Sequence, residues 1–309
     1  MLVSLVLLIV GFVCLIKGAD YLVDGASSLA KRMCIPPIII GLTVVAMGTS
    51  APEAAVSISS AIHGSNDIAI GNVIGSNIAN ILFVLGLSAM MNQLRVQKNT
   101  IRYEIPFVIF ITVLLCGMGW QYGEISRMSA GILSGIFVMF LGYLYVISKQ
   151  TECSTDDIKT ISPLKTCIYI LFGLCALVLG SNITVSAACD IARYIGISER
   201  VIGLTIIAIG TSLPELVTSV IAAKKGEADI SVGNIVGSNI FNILFVLGVT
   251  GLILPIPYDS AFLFDGIFAI LAVVLLWGFT CRTKHLTPVP GILMISIYIT
   301  YLACLITNI

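Results

Sequence analysis

The sequence predicts an all-α integral membrane protein with ten transmembrane helices in two inverted five-helix repeats, helices two and seven being broken. Three observations carry that prediction. The chain of 309 residues is 58% apolar and 10% charged, with mean hydropathy +1.08, whereas soluble domains carry about 25% charged residues. Apolar runs of the roughly 20 residues that cross a bilayer recur along the whole chain. Two polar motifs of the first half also return in the second at a constant offset of 162 residues.

The apolar runs lie near 2–25, 36–61, 70–92, 103–122, 126–147, 163–188, 199–223, 230–254, 260–280 and 287–307. The first 16 residues are as apolar as a signal peptide. No basic residue precedes them and a related segment recurs mid-chain, so they read as the first membrane helix. The longest polar interruption, 148–162, holds Lys149, Glu152, Asp156, Asp157 and Lys159. It divides the chain into a first repeat (1–147, helices one to five), a linker (148–162) and a second repeat (163–309, helices six to ten).

Residues 41–53 (GLTVVAMGTSAPE) match 203–215 (GLTIIAIGTSLPE) at 9 of 13 positions. Residues 71–86 (GNVIGSNIANILFVLG) match 233–248 (GNIVGSNIFNILFVLG) at 13 of 16. Apolar helices resemble one another by chance, but a fixed offset that preserves Glu, Pro, Ser and Asn marks a duplication. Each first motif puts a carboxylate, Glu53 or Glu215, beside a proline inside an apolar run. A charge at membrane depth costs about 2.5–3.5 kcal/mol on insertion scales, which makes it a functional candidate. Proline removes a helical N–H and breaks the helix there, and irregular backbone at that depth has to line protein or a wet cavity. The plainer alternative is a proline kink with a carboxylate that snorkels or pairs.

Lysine and arginine set the orientation. Loops 1–2, 3–4, 5–6, 7–8 and 9–10 carry twelve of them, the opposite side only Arg127, Arg193 and Arg200, and Lys17 falls inside helix one. The bias puts the central linker in the cytoplasm and both termini outside. With five helices per repeat the second half is then inverted, the plan of many secondary transporters, whose site lies between repeats near the midplane.

Thr49, Ser50 and Glu53 are spaced to point together across a loosened helix, and Asn72, Ser76 and Asn80 form an i, i+4, i+8 stripe. The second copy supplies Thr211, Ser212, Glu215, Asn234, Ser238 and Asn242. Gly71, Gly75, Gly233 and Gly237 suit close helix packing, and interhelical hydrogen bonding alone is the alternative use of the Ser and Asn stripe. The donor set is all oxygen, which selects hard cations such as Ca²⁺ and Na⁺ over Zn²⁺ or Cu⁺. Two glutamates supply a charge of −2 that one Ca²⁺ neutralises. Two buried carboxylates without a cation also tend to retain a proton, so H⁺ and Na⁺ compete with Ca²⁺.

The paired Gly-Thr-Ser-x-Pro-Glu segments, each followed by Gly-Asn-x-x-Gly-Ser-Asn-x-x-Asn, closely resemble the α-repeats of the cation/Ca²⁺ exchanger superfamily. The nearest branch is the compact prokaryotic sodium/calcium exchangers, and the resemblance spans the whole chain. It implies a multi-pass protein of a prokaryotic cell membrane, functional as a monomer, with helices two, three, seven and eight around the ions. It implies Glu53 and Glu215 as central Ca²⁺ ligands, and Thr49, Ser50, Thr211 and Ser212 holding Na⁺ or Ca²⁺ with the carbonyls of Ala46 and Ala208. Ser76 and Ser238 would complete the Na⁺ sites, with Asn80 and Asn242 at the centre. Helices one and six would slide past the core, and small residues in 18–28 and 180–188 suit that contact. Some relatives, including K⁺-dependent members, have Asp where this chain has Asn242, so no K⁺ requirement is expected.

The expected function is Ca²⁺/Na⁺ antiport by alternating access, with Ca²⁺ and Na⁺ as substrates, the bilayer as surroundings and no cofactor. The alternatives are an H⁺/Ca²⁺ or broader divalent exchanger and, from another class, a cation channel. No nucleophile–base pair suggests an enzyme, and a net charge of zero with no basic block excludes a nucleic-acid partner. The nine cysteines are unclustered and read as small apolar residues. Lys17, Asp20 and Asp24 suggest an ion pair or mouth residues. His63 and His285 fall in loops.

Overall fold

The structure is a computed structural model that describes residues 1–63, 66–149, 161–197, 206, 208–259 and 261–307. Its helices are α1 (Leu2–Met33), α2 (Pro37–Thr49), α3 (Ala51–Ile62), α4 (Ile68–Met91), α5 (Thr100–Tyr122) and α6 (Arg127–Ser148). The second half has α7 (Pro163–Tyr194), α8 (Ala208–Thr211), α9 (Leu213–Lys224), α10 (Ala228–Ile253), α11 (Phe262–Thr283) and α12 (Pro288–Leu305). Among the described residues eight helices are long and apolar enough to cross a membrane, and α2 with α3, bent by 46°, makes a ninth. The expected seventh span begins outside the described residues and continues as α8 and α9.

Burial sorts the helices into layers. In α4 and α10, 72% and 83% of the most apolar stretch is buried, against 22–44% in the other single spans. These two form the centre, and the rest turn large apolar side chains outward, such as Phe110, Val138, Leu171 and Leu271. A bundle that exposes such residues fits lipid, where exposure of apolar surface carries no cost. The main apolar core joins α4 and α10 to α5, α6, α11 and α12. Leu15, Leu22 and Leu177 of α1 and α7 belong to a separate cluster.

α1 and α7 each run for 32 residues, longer than their apolar stretches, because their last turns are polar and carry Lys31, Arg32 and Arg193. They lie antiparallel with their backbones in contact. A Cβ on Gly18 would stand 2.9 Å from the Gly173 carbonyl oxygen, and one on Gly180 would stand 2.9 Å from the Leu15 nitrogen. Small residues allow this approach and remove interlocking side chains from it. Where α2 crosses α10, Gly237 plays the same part, since a Cβ there would meet Leu42 Cα at 2.7 Å. The segment that would cross Gly71 and Gly75 in the first repeat lies outside the described residues.

Short antiparallel ribbons fasten the repeats together. Strand β1 (Leu94–Arg95) pairs with β4 (His285–Leu286), and β2 (Glu124–Ile125) with β3 (Ile256–Pro257). Each ribbon joins a loop of one repeat to a loop of the other, at opposite ends of the bundle. The end holding β1 and β4 is the one from which α7 starts and is called the linker end below. Among the described residues two non-glycine residues have left-handed backbone, Cys34 (φ 54°) and Lys284 (φ 55°), and their counterparts in the other repeat are Gly196 (φ 87°) and Gly123 (φ 68°). Cys34 is disulfide-bonded, which departs from the expectation that the cysteines act only as small apolar residues.

Candidate ion-binding site

Proline placement builds the site. Within a helix Pro52 would cost about 3 kcal/mol. Here α2 stops at Thr49 and α3 restarts at Ala51, so Pro52 sits in a first turn, where its missing N–H has no intrahelical partner to lose. Pro214 does the same for α9 after the break at Ser212. Glu53 and Glu215 therefore fall in the first turns of two half-helices, where the positive end of the helix dipole favours a carboxylate. Wider π turns occupy Asn80–Val84 and Asn242–Val246, and such turns recur at functional sites.

Both glutamates are fully buried, and each is held from the opposite repeat. Ser50 Oγ donates to Glu215 Oε1 at 2.7 Å, and Ser212 Oγ donates to Glu53 Oε1 at 3.4 Å. Asn72 Nδ2 donates to the Glu53 carbonyl at 3.3 Å and to Ser57 Oγ at 3.1 Å. Its counterpart Asn234 donates to the Glu215 carbonyl at 3.4 Å and to Ser219 Oγ at 2.9 Å. Thr49 Oγ1 donates to Asn234 Oδ1 at 3.0 Å and to the Ala46 carbonyl at 3.3 Å, which also accepts from the Ser50 N–H at 3.0 Å.

At the crossing of α4 and α10 the repeats meet through amides. Asn77 Nδ2 donates to the Asn239 carbonyl at 3.2 Å, and Asn239 Nδ2 to the Asn77 carbonyl at 3.3 Å. Asn80 Nδ2 donates to Asn239 Oδ1 and Asn242 Nδ2 to Asn77 Oδ1, both at 3.2 Å. These contacts exchange under the 162-residue offset, as expected of a pseudo-two-fold axis through the site.

The oxygens left over define the chemistry. Glu53 Oε2, Glu215 Oε2, Asn80 Oδ1, Asn242 Oδ1, Ser76 Oγ and Ser238 Oγ are buried and have no hydrogen-bond partner. A buried polar atom left so costs about 1–3 kcal/mol. Three pairs related by the repeat, with two carboxylates among them, are a donor set for a hard cation.

The structure thus gathers Glu53, Glu215, Ser50, Ser212, Thr49, Ser76, Ser238, Asn80 and Asn242 in the interior. Thr211 lies at the wall, lining with Pro52, Ser181 and Asn182 a cavity of about 450 Å³ between α3 and α7. Ala208 opens α8, and the Ala46 carbonyl already carries two hydrogen bonds. The suggested pairing of Lys17 is not formed. Asp20 and Asp24 instead meet Lys225 Nζ, at 2.5 and 2.6 Å, because the loop between α9 and α10 lies against α1.

Four participants escape the spacing argument. Asn77 and Asn239 lie off the i, i+4, i+8 stripe, yet they join the repeats. Ser57 and Ser219 accept from Asn72 and Asn234. All four recur at the same offset, and that repetition is the signal that could have found them.

Comparison with known proteins agrees with this fold. The profile of the sodium/calcium exchanger protein family matches residues 3–146 and 165–307. The chain is 40% identical to the putative antiporter CaxA of Alkalimonas amylolytica, over 97% of this chain and 98% of the relative. It is 37% identical to the inner membrane protein YrbG of Escherichia coli, over 99% and 97%. It is 30% identical to the sodium/calcium exchanger MaX1 of Methanosarcina acetivorans, over 98% of each. Among solved structures, the sodium-calcium exchanger NCX_Mj superimposes with a TM-score of 0.86 at 30% identity, covering 98% of this chain and 99% of that one. With two matched halves, a shared membrane fold and a duplicated oxygen site, the chain belongs to the sodium/calcium exchanger protein family and is a transporter rather than an enzyme.

Proposed function

We propose that this protein exchanges Ca²⁺ for Na⁺ across the cell membrane by alternating access, without a K⁺ requirement and as a monomer. The observation that carries the reading is the set of six unpartnered buried oxygens around Glu53 and Glu215. Their fixed charge of −2 matches one Ca²⁺, and the neutral oxygens around them suit the Na⁺ ions that replace it. Glu53, Glu215, Ser50, Ser212, Ser76, Ser238, Asn80 and Asn242 act as ligands. Thr49, Thr211 and the carbonyls of Ala46 and Ala208 complete the outer Na⁺ positions. Asn242 in place of a third acid removes the charge a co-transported K⁺ would need.

Access fits the same reading. The cavity lined by Pro52, Ser181 and Thr211 reaches both helix breaks, while the linker end is crossed by the Lys225 ion pairs. In our assignment the linker, 148–162, is cytoplasmic, the termini are extracellular, and the repeats are 1–147 and 163–309. α1 and α7 then move together past the core to transfer access.

Radiolabelled Ca²⁺ uptake into proteoliposomes, with Na⁺, K⁺ or H⁺ gradients imposed in turn, tests the proposal. Uptake should require outwardly directed Na⁺ and ignore K⁺. Two carboxylates can also carry two protons, so uptake driven by H⁺ alone would replace Na⁺ as the counter-ion. Uptake with no counter-ion gradient would indicate a channel.

A further inference from the structure

At the linker end, the ribbon of β1 and β4 borders a cavity of about 630 Å³. Arg95, Lys98 and Lys284 line it and are exposed, and none forms an ion pair among the described residues. Among the described residues the lining holds one acid, Asp229, which accepts from Gln97 Nε2 at 2.6 Å and lies close enough to Arg95 to feel its charge. His285 also lines the cavity, and its Nδ1 is buried without a partner. Three cations thus face one space against one carboxylate, with the His285 ring in its wall and its Nδ1 closed off.

The opposite ribbon shows that the fold does not impose these side chains. The Lys284 N–H donates to the Thr280 carbonyl and its own carbonyl accepts from Val96 N, each at 2.9 Å. Gly123 repeats both bonds, to the Gly119 carbonyl and from Tyr258 N, again at 2.9 Å. Both residues hold left-handed backbone, φ 55° and φ 68°, which glycine adopts freely and a side chain resists. The turn therefore favours glycine, and lysine occupies it against the backbone preference. The neighbouring positions differ likewise. In ribbon register His285 and Arg95 correspond to Glu124 and Pro257, so the opposite ribbon carries no cation at these positions. A general excess of positive charge on one side would be met by a lysine anywhere in these loops. It gives no reason for one in a strained turn facing a cavity.

The cavity lies where α4 and α5, and α11 and α12, are joined, at the level of a membrane interface. Trp277 marks that level on α11, its indole N–H donating to the Ile101 carbonyl at 2.9 Å. Arginine and lysine gathered between helix ends are suited to phosphate. We propose that this cavity binds a phosphate-bearing anion, with Arg95, Lys98 and Lys284 as its ligands, separately from the transport site.

The test uses the full chain purified in detergent, with native mass spectrometry to count retained lipid and thermal unfolding to follow stabilisation. The probes are phosphatidylglycerol, phosphatidylcholine and inorganic phosphate, compared in wild type, Lys284→Gly and Arg95→Gln/Lys284→Gly. Lys284→Gly restores the residue this turn accommodates in the other repeat, so it should fold at least as stably as wild type. Binding should fall by about fivefold for each cation removed. A lipid headgroup is the source if phosphatidylglycerol is retained over phosphatidylcholine, with the loss in the variants, and inorganic phosphate does not displace it. Free phosphate is the source if it stabilises the wild type, displaces phosphatidylglycerol and loses its effect in the variants. Equal retention of both lipids with no phosphate effect overturns the proposal, as does binding unchanged in the double variant.

Discussion

Around Glu53 and Glu215 nearly every contact has its double across the repeat, whereas the two ends of the bundle do not match. At the linker end Lys225 joins Asp20 and Asp24, and Ser27 Oγ donates to Glu227 Oε1 at 2.6 Å. These contacts tie α1 to the loop between α9 and α10. The counterparts of Lys225, Asp20 and Asp24 at the opposite end are His63, Asn182 and Ser186. His63 turns back to the Ser59 carbonyl of its own helix, 2.7 Å away, and the cavity beside Asn182 stays open. In the alternating access proposed above, the duplicated fold would supply two equivalent end states, and side chains away from the ions would bias the choice between them. Because Lys225, Asp20 and Asp24 are 28%, 39% and 49% exposed, the pairs are worth only about 0.2–1 kcal/mol each. Such a latch biases a population and still opens in every cycle.

The symmetric centre makes the strongest prediction. Glu53→Gln and Glu215→Gln should each reduce Ca²⁺ uptake to background in protein that still folds, and to the same degree. Wild-type transport by either variant would remove the proposed site. Next in size, Asn77→Ala and Asn239→Ala should each cost about 1–3 kcal/mol, because each strands buried amide partners. Their thermal unfolding should shift alike, and a large difference would show that the crossing is not equivalent in the two repeats.

The ends should respond unequally. Lys225→Ala should raise hydrogen exchange in the linker-end half of α1 by up to about fivefold, the equivalent of 1 kcal/mol. His63→Ala should leave exchange unchanged, and equal effects would dissolve the contrast. The latch also has a defined pH range. Partial burial lowers the Lys225 pKa, but Asp20 and Asp24 raise it more, so the ammonium is held above the ordinary lysine value. The contribution of Lys225 is therefore complete below an unfolded pKa of about 10.4 and is lost only as pH rises through the folded value. The ratio of Lys225→Ala to wild-type exchange should stay constant over roughly pH 7–9.

Much of the centre was legible because duplication repeats chemistry as well as hydropathy. The 162-residue offset exposed both glutamates, both prolines and the Ser and Asn positions around them. Asn77 and Asn239 were hidden because the stripe argument assumes one functional face per helix, while α4 and α10 at the crossing use two. The partner of Asp20 and Asp24 was hidden because local spacing pointed to Lys17, and Lys225 is 205 residues away from Asp20 in the chain. Hydropathy also ended the first and sixth helices early, since α1 and α7 continue through polar turns. The ribbons were not visible at all, because two-residue strands leave no periodicity.

The glycine seam between α1 and α7 has a mechanical consequence. With backbone against backbone at Gly18 and Gly180, the two helices form a single strut spanning the membrane, seated on α2, α9 and α10 through an apolar cluster that includes Val45, Ala222 and Ile230. A strut that shifts as one piece shields one mouth by the same displacement that bares the other. An arrangement open at both mouths, through which ions would leak down their gradients, then lies off its path. In the alternating access proposed above, tight coupling would follow from that rigidity, with no signal passing between the gates.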